Sequence, residues 1–153
     1  MIESFISGKG HVHMRLDPAE ARARFIGSPV LRLATAGADG RPHLVPCTFA
    51  VDGTGRVVIG IDSKPKTSAN LRRLRNIAEN PRVSLLVDHY EGDWTRLWWV
   101  RADGTAAVIE RAGAEYAGRW ELLRARYPQY AGQILDGPVI VVTVESWTGW
   151  AFA

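Results

Sequence analysis

The chain has 153 residues and a net charge of +3, with 46% hydrophobic and 23% charged residues. This composition fits one globular domain with its own core and excludes an intrinsically disordered chain. The single cysteine, Cys47, excludes an internal disulfide and a cysteine-based zinc site, so a reducing, cytoplasmic compartment is expected. The longest apolar runs are far shorter than the roughly 20 residues of a transmembrane helix. The mild positive charge permits an anionic partner without requiring one.

Residues 1–13 are interpreted as an expression-derived or disordered leader. They lack the long apolar stretch and the small-residue cleavage site of a secretory signal. Met14 offers a natural start for the sequence that follows. A single domain is therefore expected over residues 14–153.

The first predicted elements are a short helix and a set of antiparallel strands. Asp17 precedes Pro18, a pairing typical of a helix start, and the helix is expected to reach about Ile26. Alternating residues follow, and the Asp39-Gly40 pair predicts a hairpin turn into "RPHLVPCTFAV". A second turn at "DGTG" leads to "RVVIGI". The pattern predicts a meander of three strands.

The next predicted element is an amphipathic helix that ends at Asn80-Pro81. Its inward face is expected to carry the apolar side chains that recur at spacings of three and four, which are Leu71, Leu74, Ile77 and Ala78. Its outward face is expected to carry polar side chains, which are Arg72, Arg73, Asn76 and Glu79.

The second half of the chain predicts further strands and one more helix. Strands are expected at residues 82–90 and 96–110, a helix around 114–127, and a terminal strand within 137–153. About six strands with two or three helices indicate a mainly β, α+β fold. The expected architecture is a closed or nearly closed antiparallel barrel, with the helices packed outside it.

A basic segment lies immediately before the amphipathic helix. Lys64, Lys66, Thr67 and Ser68 would surround a helix N-terminus, whose free N–H groups and partial positive charge suit a phosphate or a carboxylate. The alternative is that these side chains only solvate an outer face, as most charge runs do. The segment is not a P-loop, because no glycine-rich turn precedes the lysines.

Tryptophans form the second candidate feature. Trp98 and Trp99 are adjacent on a predicted strand, so their side chains point to opposite faces and one of them needs a partner outside the core. That partner is either a planar ligand or a second subunit. Trp150, near the C-terminus, is a candidate of the same kind. Ordinary core packing remains the alternative for each ring.

Residues for acid–base, nucleophilic or metal chemistry are poorly represented. His43 and His89 have no serine or cysteine partner at a recognised spacing, and no metal ligands or catalytic side chains are assigned. A protein of this kind must use the reactivity of a cofactor or perform no chemistry.

Several motifs together resemble the pyridoxamine-phosphate-oxidase-like split-barrel flavoprotein superfamily. They are "LATAGADGRPHLVP", "SKPKTSANL", "NPRVSLLVD", a "DGTA" turn and a tryptophan-bearing last strand, which together run from about residue 17 to the end. The chain looks most like the actinobacterial branch that uses the deazaflavin F420, with flavin mononucleotide (FMN) as the alternative cofactor. The chain lacks the Arg-Leu-His-Asp-Arg-like tail of the vitamin B6 enzymes, which puts oxidation of a vitamin B6 phosphate in doubt.

The resemblance implies a split-barrel homodimer with two cofactor sites between the subunits. The segment from Lys64 to Asn70 would hold the phosphate, and Pro46, Cys47 and Thr48 would lie beside the ring. The strand with Trp98 and Trp99 would approach from the other subunit.

The expected function is an F420-dependent oxidoreductase acting on a small unsaturated or quinone-like organic substrate. The polyglutamate tail of F420 is negatively charged, so Arg72, Arg73 and Arg75 would attract it. The alternatives are an FMN-dependent oxidoreductase and a non-catalytic carrier of F420, flavin or haem. A nucleic-acid-binding module is the weakest reading, because the basic residues are not interleaved with aromatic residues.

Overall fold

The computed structural model describes residues 13–61 and 68–152, with side chains at 14–61 and 72–152. The strands are β1 (His13–Arg15), β2 (Leu31–Ala36), β3 (Pro42–Cys47), β4 (Ala50–Val51), β5 (Val57–Gly60), β6 (Arg82–His89), β7 (Trp98–Ile109) and β8 (Val139–Phe152). The α-helices are α1 (Pro18–Ile26), α2 (Ser68–Glu79) and α3 (Tyr116–Arg126), with 3₁₀ turns at Trp94–Arg96 and Pro128–Tyr130. In this described part of the chain, no helix combines the length and apolar character needed to cross a bilayer.

The strands form one curled antiparallel sheet. Its order is β3-β2-β6-β7-β8-β5-β4, and β1 pairs with β8 outside this path. The two ends of the path, β3 and β4, are joined by residues 48–49 alone. Three Cα steps span at most about 11 Å, so the two ends of the sheet must meet. The predicted mainly β, α+β split barrel with flanking helices is confirmed.

The predicted middle strand of the meander is interrupted at Thr48 and Phe49. Its first half, β3, pairs with β2, and its second half, β4, pairs with β5. The interruption has a tertiary cause, because side chains at the end of α3 and directly after it bind the backbone of Phe49. Tyr127 accepts the Phe49 N–H at 3.0 Å, and Arg126 donates to the Phe49 carbonyl at 2.8 Å. The expectation of one continuous strand was wrong at this point.

The core lies on the concave face of the sheet. Leu31, Leu33, Leu85, Val100 and Ile140 are fully buried there. A second cluster lies on the other side of β5 and β8, where α3 covers them, and its members include Val58, Val141, Trp120 and Leu123. Most apolar burial therefore comes from strand residues that alternate between core and surface, as the sequence pattern predicts.

Helix α1 forms as the sequence predicts. The Asp17 carboxylate accepts the Glu20 N–H at 2.8 Å, and Pro18 occupies the first turn. Phe25, which is fully buried, packs with its ring centroid 5.1 Å from those of Phe49 and Trp147. The helix thus covers the barrel where the middle strand is interrupted.

Helix α2 presents a different face to the sheet from the one predicted. Asn76 is 1% exposed and donates to the Thr35 hydroxyl at 3.1 Å, whereas Ala78 is exposed. Arg73 also turns inward, toward Cys47. The expected outward positions of Arg73 and Asn76 were wrong. The sheet beneath the helix offers polar partners, so these side chains can be buried without losing hydrogen bonds.

Candidate functional site

Two polar contacts fix α2 against the β2–β3 hairpin. Asn76 bonds Thr35 in the middle of the helix, and the Glu79 carboxylate accepts the Ala38 N–H at 2.8 Å at its end. Both Asn76 and Thr35 are at most 3% exposed, so the bond between them is part of the core. The helix therefore holds the residues one turn earlier, Arg72 and Arg73, at a defined position over β3.

These arginines belong to a cationic cluster of side chains, which we call the α2 recess and define by His43, Cys47, Arg72 and Arg73. Arg73 Nη1 donates to Cys47 Sγ at 3.1 Å. Burial raises the pKa of the Cys47 thiol, and the Arg73 charge offsets only part of this effect. The thiol is therefore neutral at physiological pH, and it does not balance the charge of Arg73.

The recess also holds polar atoms that lack partners. Within the described residues, His43 Nδ1 and Arg72 Nε are buried with no hydrogen bond. Burial lowers the pKa of His43, and the charges of Arg72 and Arg73 lower it further, so the ring is neutral. Arg72 has an ion pair at 3.7 Å with Asp39, whose side chain is 64% exposed. Buried polar atoms usually have partners, so the recess is suited to an anion that would supply them.

The interruption between β3 and β4 is held by side chains from the end of α3. Thr48 Oγ1 lies 2.7 Å from the Tyr130 hydroxyl. The Phe49 backbone is bound by Arg126 and Tyr127, and the Arg126 guanidinium also lies 4.5 Å from the centroid of the Phe49 ring. The end of β3, next to the α2 recess, is consequently fixed by residues about 80 positions later in the sequence.

Trp98 and Trp99 point to opposite faces of the sheet, as predicted. Trp98 packs against the main core, with the Arg24 guanidinium 5.5 Å from its ring centroid. Trp99 pairs with Trp150 across β7 and β8, and both belong to a small cluster with Leu97 and Phe152. Trp150 is only 6% exposed, so most of its ring is covered within the subunit.

The convex face of β3, β2, β6 and β7 carries exposed apolar side chains. Leu44 is 67% exposed, and Leu86 and Tyr90 are 37% and 45% exposed. Together with Trp99 they line a shallow groove of about 450 Å³. Charged side chains of both signs share this face: Arg32 lies 3.4 Å from Asp88, and Arg101 lies 2.8 Å from Asp103. We call this surface the convex face.

The structure brings together only some of the predicted site residues. Lys64, Lys66 and Thr67 lie outside the described residues, and Ser68 and Asn70 belong to the first turn of α2, where only the backbone is described. Cys47 lines the α2 recess, between Pro46 and Thr48. The three tryptophans Trp98, Trp99 and Trp150 lie on β7 and β8, beyond β2 and β6. Three interstrand spacings separate β3 from β7, roughly 14 Å along the sheet.

A family model described as pyridoxamine 5′-phosphate oxidase matches residues 17–151 of the chain. The chain belongs to this family. The match extends from the cap of α1 almost to the end of β8. It therefore includes all three helices and every strand except β1. The resemblance to the split-barrel superfamily is confirmed.

An enzyme is similar to this chain in sequence, and several solved structures are similar to it in fold. A Streptomyces rimosus protein, the 5a,11a-dehydrotetracycline/5a,11a-dehydrooxytetracycline reductase, is 42% identical over 88 residues, which cover 55% of this chain and 58% of the relative. The matched stretch thus spans little more than half of either protein. A FAD-binding protein from Mesorhizobium loti is 19% identical with a TM-score of 0.71, covering 94% of this chain and 99% of that one. The haem storage protein HutZ from Vibrio cholerae is 23% identical with a TM-score of 0.68, covering 92% and 98%. These two similarities show that the chain shares its fold with both proteins.

The sequence analysis did not predict that Arg73 turns inward or that Tyr130 contacts Thr48. A signal for Arg73 was present, because Arg73, Asn76, Ile77 and Asn80 recur at the spacings of one helix face. The polar residues on that face were interpreted as solvent-facing. No local pattern links Tyr130 to Thr48, since the contact joins residues 82 positions apart.

Proposed function

We propose that this protein is a reductase that binds a flavin-type coenzyme between two subunits, and that the coenzyme is F420. The α2 recess is the observation that carries the proposal. It contains two inward guanidinium groups, a neutral thiol and two buried nitrogen atoms without partners in the described structure. A coenzyme phosphate would add negative charge beside these guanidinium groups and an acceptor for Arg72 Nε.

The end of β3 gives the coenzyme ring a place beside the phosphate. Cys47 belongs to the recess and lies between Pro46 and Thr48, and Arg126 and Tyr127 hold the Phe49 backbone directly after them. In this proposal, Arg72 and Arg73 hold the phosphate together with the first turn of α2. Lys64, Lys66 and Thr67 remain predicted partners of the same group.

The choice of F420 over FMN depends on additional anionic charge. FMN ends in one phosphate, whereas F420 continues into a polyglutamate tail. Arg75 is 61% exposed on α2 and lies 3.9 Å from Glu79, so it can meet a chain lying along the surface. Arg72 and Arg73 turn inward, so the expectation that all three arginines serve the tail is revised to Arg75 alone.

The substrate class follows from the Streptomyces relative. The name of that enzyme denotes reduction of the double bond between positions 5a and 11a of a dehydrotetracycline. We propose an electron-poor carbon–carbon double bond in an organic ring system as the substrate of this protein too. When bound, reduced F420 would supply the hydride for such a bond, and a proton would complete the reduction. The residues of this chain bind and orient the reactants and exclude water from them.

The convex face supports a two-fold dimer as the functional unit. Leu44 and Trp99 would meet a second copy of the same face, which offers both apolar area and charges of both signs. In such a dimer, Trp99 of one subunit would face the convex side of β3 in the other. Within one subunit the intervening strands β2 and β6 keep them apart.

The coenzyme assignment is tested by titrating the purified protein separately with F420 and FMN. We expect F420 to quench tryptophan fluorescence in a saturable way. Its affinity should exceed that of FMN by a factor of about ten, which is a difference of about 1.4 kcal/mol in binding free energy. Reduced F420 should then be oxidised in the presence of a dehydrotetracycline. Tight FMN binding without F420 binding would overturn the coenzyme assignment. Binding of neither would overturn the proposal, and binding without turnover would indicate a carrier.

The dimer is tested by placing a charge on the convex face. Leu44→Asp should weaken self-association by about 1–2 kcal/mol, because the interface would bury an unpaired carboxylate in place of an apolar anchor. Light scattering over a concentration series measures this effect. Ile134→Asp is the matched control, because Ile134 is 80% exposed in the segment before β8. If the parent protein is a monomer at micromolar concentration, or both variants dimerise equally well, the convex face is not the interface.

A further inference from the structure

We propose that Tyr130 is a positioning residue for the coenzyme, acting through the hydroxyl of Thr48. The inference rests on the proposed function, since Thr48 ends the segment assigned to the coenzyme ring. Tyr130 lies in the 3₁₀ turn after α3. It adds a residue to a site that the sequence predicts only on β3, α2 and β7.

The hydroxyl groups of Thr48 and Tyr130 form one hydrogen bond with each other, and this bond uses only one of their two protons. Thr48 Oγ1 and the Tyr130 hydroxyl lie 2.7 Å apart, the usual distance for such a pair. Each hydroxyl carries one proton and two lone pairs. Whichever group donates, the other keeps its proton for a further acceptor. Within the described part of the chain, neither hydroxyl has a second partner. The pair therefore presents one donor to a ligand.

The positions of the two hydroxyl oxygens are fixed by packing. The Tyr130 ring lies edge-on to Trp120 and Tyr127, with centroid distances of 6.1 and 5.9 Å. On the other side, the residue after Thr48 is held through its backbone by Arg126 and Tyr127. A donor held on both sides loses little entropy when a ligand binds, so it favours one ligand orientation.

The Tyr130 hydroxyl adds a side-chain hydrogen bond at an interruption whose backbone is already held. Arg126 and Tyr127 already satisfy the N–H and carbonyl of Phe49, and the ring of Tyr130 fills its place without the oxygen. No backbone group in the described structure depends on this hydroxyl. Its one contact is with the side chain beside the proposed ring site.

The test compares Tyr130→Phe, Thr48→Val and the double variant. Each single change keeps the shape and removes one hydroxyl, and each should weaken binding of F420 by about fivefold, the effect of one neutral hydrogen bond. The double variant should bind no worse than the weaker single variant, because the two groups act as a unit. The absorption maximum of bound F420 should shift in all three variants relative to the parent protein.

Tyr116→Phe is the matched control. The Tyr116 hydroxyl donates to the Gly137 carbonyl at 2.8 Å, at the opposite end of α3, so its loss tests stability without touching the site. Thermal unfolding should report similar losses for both tyrosine variants, and only Tyr130→Phe should change F420 binding. Equal F420 affinity in the two variants, or additive effects of Tyr130→Phe and Thr48→Val, would overturn this inference alone. A parent protein that binds neither F420 nor FMN would overturn it together with the proposed function.

Discussion

Replacing Arg119 by methionine should lower the free energy of unfolding by about 1.5–3 kcal/mol, the range for a hydrogen bond to a charged group, because Asp52 keeps its contacts with Arg56 and Thr54. The side chains of Arg119 and Asp52 are each 7% exposed and form a close ion pair. Asp52 lies in the turn between β4 and β5, and Arg119 lies on α3. The pair therefore ties the helix that carries the Thr48 and Phe49 contacts to the strand that closes the barrel.

Urea denaturation at neutral pH measures this effect, provided that the slope with denaturant is unchanged. Arg111→Met is the control, because Arg111 is 75% exposed and lies 3.8 Å from Asp136. It should cost no more than about 0.5 kcal/mol. A loss for Arg119→Met that is as small as that of the control would show that the buried pair does not stabilise the fold.

The free energy of unfolding of the parent protein and of Arg119→Met should also depend differently on pH. Burial alone would raise the pKa of Asp52, but hydrogen bonds from Thr54, Arg56 and Arg119 outweigh burial and hold it below its ordinary value. A carboxyl with a lowered folded-state pKa contributes stability above its unfolded pKa, and that stability is lost as the pH falls through the folded value. Without Arg119 the carboxyl takes up a proton at higher pH. The stability difference between parent and variant should therefore narrow below about pH 4.

The overall fold is readable from the sequence because its signals are local. Alternating residues, the Asp39-Gly40 turn and the Asp17-Pro18 helix start each act over a few positions, and the structure has the hairpin and the helix that they predict. The interruption at Phe49 is different. It depends on Arg126 and Tyr127, which approach from 77 and 78 positions away, so no local pattern can reveal it.

The candidate site was only partly predictable, for a related reason. Family motifs predict Cys47 beside the coenzyme ring, but its contact with Arg73 depends on how α2 lies on the sheet. A helix rule that turns apolar residues inward cannot anticipate Thr35, which gives Asn76 a buried partner. Polar residues at a site often break the simple pattern, since the surrounding structure supplies their hydrogen bonds.

Arg73→Gln should weaken coenzyme binding by about 2–4 kcal/mol, the range for removing one partner of a buried charge-assisted contact. The physical reason is that the Arg73 guanidinium lies in the α2 recess, where it donates to the neutral Cys47 thiol, so a bound phosphate would receive a charge-assisted contact from it. Glutamine keeps a side-chain donor for the Cys47 sulfur. Folding should therefore be nearly unaffected, unlike in the Arg119 variant, and thermal unfolding checks this.

Arg75→Gln is the matched control for that experiment, because it makes the same change two positions later on the exposed side of α2. Both F420 and FMN carry a phosphate, so Arg73→Gln should weaken both, and fluorescence titration should show losses of similar size. Arg75→Gln should leave FMN and tail-less F420 unchanged. It should weaken polyglutamate-bearing F420 by about 0.2–1 kcal/mol, and only at low salt, because exposed charge pairs are screened. If Arg73→Gln binds coenzyme as well as Arg75→Gln does, the α2 recess does not hold the phosphate. If tail length makes no difference in the parent protein, Arg75 only solvates the helix and the preference for F420 loses its electrostatic support.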